Sequence, residues 1–223
     1  MGQAIGDSIL FAVGLAVSTL PIVAIIFMLL AGGSRARSLA FAAGWIVGTA
    51  AAVTVVIAAS DLIGTGSTES PDRWVSVVKI LLGAALLALA VVDWRKRPAP
   101  GAPAPAPRWM RSLEGFTPRR CAGVGALVAA VNPKNLVMVL GGGLAIAEAP
   151  ASVAGEVVAA CVFVVVGTSP AIGLVVMSEA FGPRSRRALA SLSSWLQRHN
   201  AAVMAGLFLV IGTVLVVKGV GGL

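Results

Sequence analysis

Apolar residues run through this chain in six long blocks, roughly 5–31, 38–60, 74–93, 122–145, 152–177 and 200–220, separated by charged, Gly-rich or Pro-rich segments. Each block reaches the roughly 20 residues that a helix needs to cross a bilayer, so the pattern predicts six transmembrane helices. The last block carries no charge from Ala201 to Val217. The first has no basic leading segment, runs too long for a signal peptide and shows no convincing cleavage site, so it reads as a retained helix.

The fourth block is interrupted midway by Asn132-Pro133-Lys134-Asn135. A lysine at mid-bilayer depth costs at least ~2.5 kcal/mol on the mildest scale. Pro133 also removes a backbone donor and frees a carbonyl one turn earlier. Polar atoms at that depth face a protein interior or a water-filled cavity, so the tetrapeptide predicts a polar site inside the membrane. Lys134 would anchor an anionic group or be neutralised during a transport cycle. The competing reading is structural, with Lys134 snorkelling or pairing with a carboxylate. Glu156 lies about 10 Å away in depth by helical rise, so that pair would need tilt or a bridging water. Asn132 and Asn135 would either satisfy the backbone freed by Pro133 or hydrogen-bond a substrate.

Composition agrees with the blocks: 58% of the 223 residues are hydrophobic and only 12% charged, with a mean hydropathy of +0.95. The net charge of +8 is distributed by loop. Arg35 and Arg37 follow the first block, seven basic residues from Arg95 to Arg120 lie between the third and fourth, and Arg184, Arg186, Arg187 and Arg198 between the fifth and sixth. These loops share one face in a six-span topology and hold 13 of the 17 Lys and Arg residues. The positive-inside rule makes that face cytoplasmic and leaves both termini outside. The charge therefore reports topology and contact with anionic membrane lipid rather than binding to nucleic acid.

Residues 98–107, an alternation of Pro with Ala and Gly, form a polyproline-type spacer. It divides the chain into a first three-helix unit at 1–97, a Pro-rich basic linker at 98–120 and a second unit at 121–223. Three spans per unit oblige the second unit to insert upside down. An internal echo supports two inverted three-helix repeats. Ser18-Thr19-Leu20-Pro21 and Gly32-Gly33 in the first block parallel Asn132-Pro133 and Gly141-Gly142-Gly143 in the fourth. Val47-Gly48-Thr49 parallels Val166-Gly167-Thr168. Pro21 and Pro133 both fall near the midplane, from opposite sides, so two broken helices would share one polar cavity there. Gly44 and Gly48 offer a GxxxG packing face.

Ser18, Thr19 and Pro21 are thus candidate site residues beside Asn132, Pro133, Lys134 and Asn135, although hydroxyls before a proline also repair kinks. Thr168-Ser169-Pro170 is expected to break the fifth helix in its inner third. Asp7 and Glu156 are candidate vestibule or coupling carboxylates, and capping of a helix N-terminus is the plainer account of both. Asp93 reads as a topology-setting interface residue, and His199 as a solvated one. Cys121 and Cys161 fall at different depths and are not expected to pair. No metal-ligand spacing, catalytic triad or phosphate-cradling loop can be assembled, so neither an enzyme, a metal nor a cofactor is expected.

The first-block stretch Leu15 to Ile22, the stretch Phe41 to Gly48 and Asn132-Pro133-Lys134-Asn135-Leu136 together resemble the GAP family of glycopeptidolipid- and sulfolipid-addressing proteins, within the LysE exporter superfamily. The likeness covers essentially the whole chain. It implies a six-helix protein of the bacterial inner (plasma) membrane that moves amino acids, ions or amphipathic glycolipids outward. It also implies association with large lipid exporters of mycobacterial envelopes. The superfamily's Pro-containing elements map onto Ser18 to Pro21 and Asn132 to Asn135. Thr19-Leu20-Pro21 departs from the Asn-Pro-Gly-Pro-like element of many such exporters, which argues against an amino-acid or ion substrate. The expectation is an all-α secondary exporter or flippase-like carrier of a small or lipidic molecule. The alternatives are a non-transporting subunit docked on a larger lipid exporter and an amino-acid or ion exporter of LysE type, and a homodimer is compatible with so small a transporter.

Overall fold

A computed structural model describes residues 1–30, 35–63, 73–95, 115–181 and 185–222. Within them the chain forms α-helices and no strands: α1 (Gly2–Ala16), α2 (Thr19–Leu30), α3 (Arg35–Ile63), α4 (Arg73–Arg95), α5 (Pro118–Val131), α6 (Pro133–Ala147), α7 (Val153–Phe181) and α8 (Ser185–Val220). Helices α3, α4, α7 and α8 are each long and apolar enough to cross a membrane. The pairs α1 with α2 and α5 with α6 qualify only when joined, and they bend by 44° and 66° at their breaks. The described residues thus hold four to six candidate spans, and the chain is a multi-pass membrane protein. Large apolar side chains such as Val47, Val55, Leu81, Val165 and Val217 point outward, as lipid contact requires. The spacer at 98–107, Gly32-Gly33 and the basic residues 96, 97, 108, 111 and 184 lie outside the described residues.

Helices approach closely where glycine permits. A Cβ on Gly44 would stand 1.9 Å from the Ala122 carbonyl oxygen, and one on Gly48 2.7 Å from the Ala126 Cα. The expected GxxxG face of α3 therefore packs backbone to backbone on α5. Helix α4 packs along α8 through Gly83 and Gly212 in the same manner, and α1 lies against α6 and α7. The run Gly141 to Gly143 is a packing surface: Phe11 covers Gly141, Phe163 covers Gly142 and Val56 covers Gly143. Trp45, Phe41, Phe163 and Phe208 are the largest fully buried side chains and fill the centre of the bundle.

Two expectations are corrected. Helix α7 is not broken at Thr168-Ser169-Pro170 but continues from Val153 to Phe181 with Pro170 inside it. Pro170 cannot bond the carbonyl four residues back, that of Val166, and the Ser169 hydroxyl donates to that oxygen at 2.8 Å. The Thr168 hydroxyl, fully buried, donates to Val164 O at 2.7 Å. Second, the sixth helix starts at Ser185 rather than near 200. Its first four turns are amphipathic, with Leu189, Leu192 and Leu196 at helical spacing among polar residues, so a search for continuous apolar blocks passes over them, and Arg187 and Arg198 sit on a helix rather than in a loop.

Candidate functional site

Helix α5 ends and α6 begins at Asn132, whose backbone is extended (φ −67°, ψ 117°), as a residue before proline prefers. Its Oδ1 accepts from the Lys134 amide at 3.1 Å, and Pro133 occupies the first helical position, where no donor is lost. Asn135, 1% exposed, donates from Nδ2 to the Val128 carbonyl at 3.2 Å. Val128 is in the last turn of α5, where carbonyls lack helical partners. Both amides therefore repair the break.

Lys134 does not pair with Glu156. Its ammonium forms an ion pair with Asp93 Oδ2 in the last turn of α4 and stands 5.6 Å from the centroid of the buried Phe208 ring on α8. Asp93 is consequently no mere interface residue: it is buried and offsets a charge that the bilayer would otherwise penalise. The 66° bend at Asn132 redirects α6, and the lysine stem supplies the remaining reach.

At the other break, α1 ends at Ala16 with Val17 as its C-cap, and α2 starts at Thr19. Pro21 sits in the first turn of α2, where its missing amide proton costs nothing. Ser18 and Thr19 are buried, and the Thr19 hydroxyl donates to Asn200 Oδ1 on α8. The contacts of Thr19 and Lys134 on α8 are eight residues apart, at Asn200 and Phe208, or about 12 Å along the helix. Among the described residues, Thr19 and Lys134 thus belong to two separate clamps that share α8.

A cavity of about 380 Å³ opens at the end of the bundle where α1 and α4 begin and α6 and α8 finish. Asp7, Lys79, Glu148 and Lys218 line it, over a floor that includes Phe11 and Gly141. Lys79 pairs with Glu148 at 2.5 Å and Lys218 with Asp7 at 2.7 Å. Glu148 Oε1 is buried and has no partner among the described residues. Asp7 lies in the cavity wall and not in the first turn of α1, so it caps nothing. Glu156 does sit in the first turn of α7, behind Ser152, whose Oγ accepts from Gly155 N at 3.3 Å, and it does not line this cavity.

These four polar bonds have one property in common. Asp93–Lys134, Thr19–Asn200, Asp7–Lys218 and Lys79–Glu148 each join a residue before position 97 to one after position 121. Sequence reasoning missed Asn200, Lys79 and Glu148 as site members. Lys79 carried a usable signal, a lysine inside an apolar block, which is the signal that marked Lys134. Elsewhere, His199 stacks on exposed Trp195 at 4.8 Å, and Cys121 and Cys161 are free thiols. Among the described residues no cluster of His, Cys, Asp and Glu could hold a metal ion.

Residues 9–221 match the family described as Sap, sulfolipid-1-addressing protein. No curated protein and no solved structure matches the chain significantly.

Proposed function

Because the chain belongs to the sulfolipid-1-addressing protein family, we propose that it is an exporter or flippase-like carrier. Its cargo is a lipidic molecule with an anionic or hydroxyl-rich head. The carrying observation is that four polar bonds between separate spans, Asp93–Lys134, Thr19–Asn200, Asp7–Lys218 and Lys79–Glu148, cross the seam between the two halves of the chain. A carrier that rocks one half against the other must make and break such contacts, and short charged or hydroxyl pairs exchange more readily than interlocked apolar surfaces.

The inverted repeat is part of this proposal and has three supports. The spans α1–α2 and α5–α6 are both bent. Each break is clamped to the third span of the opposite half, Thr19 to α8 and Lys134 to α4. The cavity gathers the helix ends that six alternating crossings bring to one face. On this reading an anionic head displaces Asp93 from Lys134 at the inner clamp, and Asn132, Asn135, Ser18 and Thr19 act mainly by keeping the breaks open to that exchange. The outer cavity, with its two ion pairs, is the exit.

A second reading has its own support. Lys134, Asn132 and Asn135 already have intramolecular partners, as a purely structural element would. On that reading the protein assists a larger lipid exporter through its Pro-rich basic linker. A deletion strain complemented with wild type, Lys134→Ala or a chain lacking 98–107 separates the two when surface-extractable lipids and medium metabolites are profiled at matched membrane abundance. Loss of one surface lipid with Lys134→Ala supports the carrier. Full restoration by Lys134→Ala, with failure of the linker deletion, supports the accessory role and overturns the carrier. A missing medium metabolite with unchanged surface lipids overturns the lipid cargo.

A further inference from the structure

Helices α4 and α8 enclose a second space unrelated to the ion-paired cavity. It is a lateral groove of about 460 Å³ at the opposite end of the bundle, where α4 ends. On α4 its wall is Leu87, Val91 and Arg95, and on α8 Ala202, Gly206 and Leu209. Both sets recur every four residues or close to it, so each is one stripe along its helix. The groove runs eight residues along α4, about 12 Å, which is close to the depth of a single leaflet. Its lining is apolar except at the mouth, where Trp94 and Arg95 stand. Nothing lies within 4 Å of where a Cβ of Gly206 would be, so the groove floor is open there.

The α8 stripe extends one turn further, to exposed Arg198. Arg95 lines the mouth and Arg198 stands one turn beyond it along α8, and neither has an ion-pair partner among the described residues. A guanidinium with five donors matches a phosphate oxygen pair in a bidentate manner, and an indole favours the headgroup boundary. We propose that this groove is a binding site for an anionic glycerophospholipid of the adjoining leaflet, with one acyl chain along α4 and α8 and its phosphate on Arg95 and Arg198. A neutral protein helix would leave both guanidinium groups unmatched, and an apolar groove about one leaflet deep suits a single chain. The site lies beyond the carrier proposal and needs no transport to be observed.

The full-length protein, reconstituted in phosphatidylcholine vesicles, provides the test. Tryptophan quenching is measured with chain-brominated phosphatidylglycerol and with chain-brominated phosphatidylcholine. The Trp94 contribution is the difference between wild type and Trp94→Phe. The expected result is preferential quenching of Trp94 by the anionic lipid, with each of Arg95→Gln and Arg198→Gln reducing the preference about fivefold. Gly206→Leu, which fills the groove without altering charge, is expected to abolish that quenching and leave the other tryptophans unchanged. Equal quenching by both lipids overturns the proposal. So does a preference that survives both arginine substitutions, or quenching indifferent to Gly206→Leu.

Discussion

Lys134 and Asp93 determine each other's cost. Asp93 is 9% exposed, and removing its partner strands a carboxylate in a poorly solvated place. Lys134→Ala is therefore expected to destabilise the protein by about 3 kcal/mol, as breaking a buried pair does. Replacing both with apolar residues of similar size, Asp93→Leu with Lys134→Met, is expected to restore thermal stability in detergent to within about 1 kcal/mol of wild type. Export is not expected to return with it, since the double variant has no cation for an anionic head. If export recovers along with stability, the pair is structural only. The Thr19–Asn200 bond is weaker: a double-mutant cycle with Thr19→Val and Asn200→Leu is expected to give a coupling of about 0.6 kcal/mol, ordinary for hydrogen bonds between membrane helices. Both breaks were legible in the sequence because Ser-Thr-Leu-Pro and Asn-Pro act locally. Their partners were not. Asp93 is 41 residues from Lys134 and Asn200 is 181 from Thr19, and only the bends and the helix packing bring them together.

At the scale of elements, apolar block length located the four spanning helices and the two bent pairs, while the start of α8 at Ser185 and the unbroken course of α7 escaped it. The α7 case turns on one hydroxyl. Ser169→Ala is expected to leave the Val166 carbonyl without a donor and to cost about 1 kcal/mol, and Pro170→Ala should restore that stability by returning the backbone bond. Helix contact was legible too, because a GxxxG spacing means close approach. Gly44→Val would drive a side chain into the Ala122 carbonyl, which a Cβ alone would approach to 1.9 Å. A loss of at least about 1–3 kcal/mol is expected from such overpacking. Gly123→Ala on the facing helix α5 meets nothing within 4 Å, so it is expected to be neutral or stabilising by up to about 1 kcal/mol from helix propensity. Thermal unfolding of the two variants in one detergent checks both. Equal losses would mean that α3 and α5 do not meet through this face.

For the whole molecule, the question is whether the seam between the halves moves. If the two ion pairs at the cavity rim, Asp7–Lys218 and Lys79–Glu148, hold the bundle's end shut in one state and part in another, a fixed link across the rim must stop the cycle. Cysteines at 7 and 218, in a chain with Cys121 and Cys161 replaced by alanine, can be joined by a short thiol-specific linker. The native side chains meet at 2.7 Å only through the length of the lysine stem, so the linker is chosen to span what the shorter cysteines leave open. The carrier reading expects loss of surface-lipid delivery on linking and recovery when a cleavable linker is reduced. A matched pair on one helix, at 3 and 7 on α1, should link with no effect, which isolates motion across the seam from chemical damage. An accessory protein that only docks a partner has no need for its halves to part. Delivery that continues with the 7–218 link in place would therefore favour that role, and the seam's four polar bonds would then be fasteners instead of moving contacts.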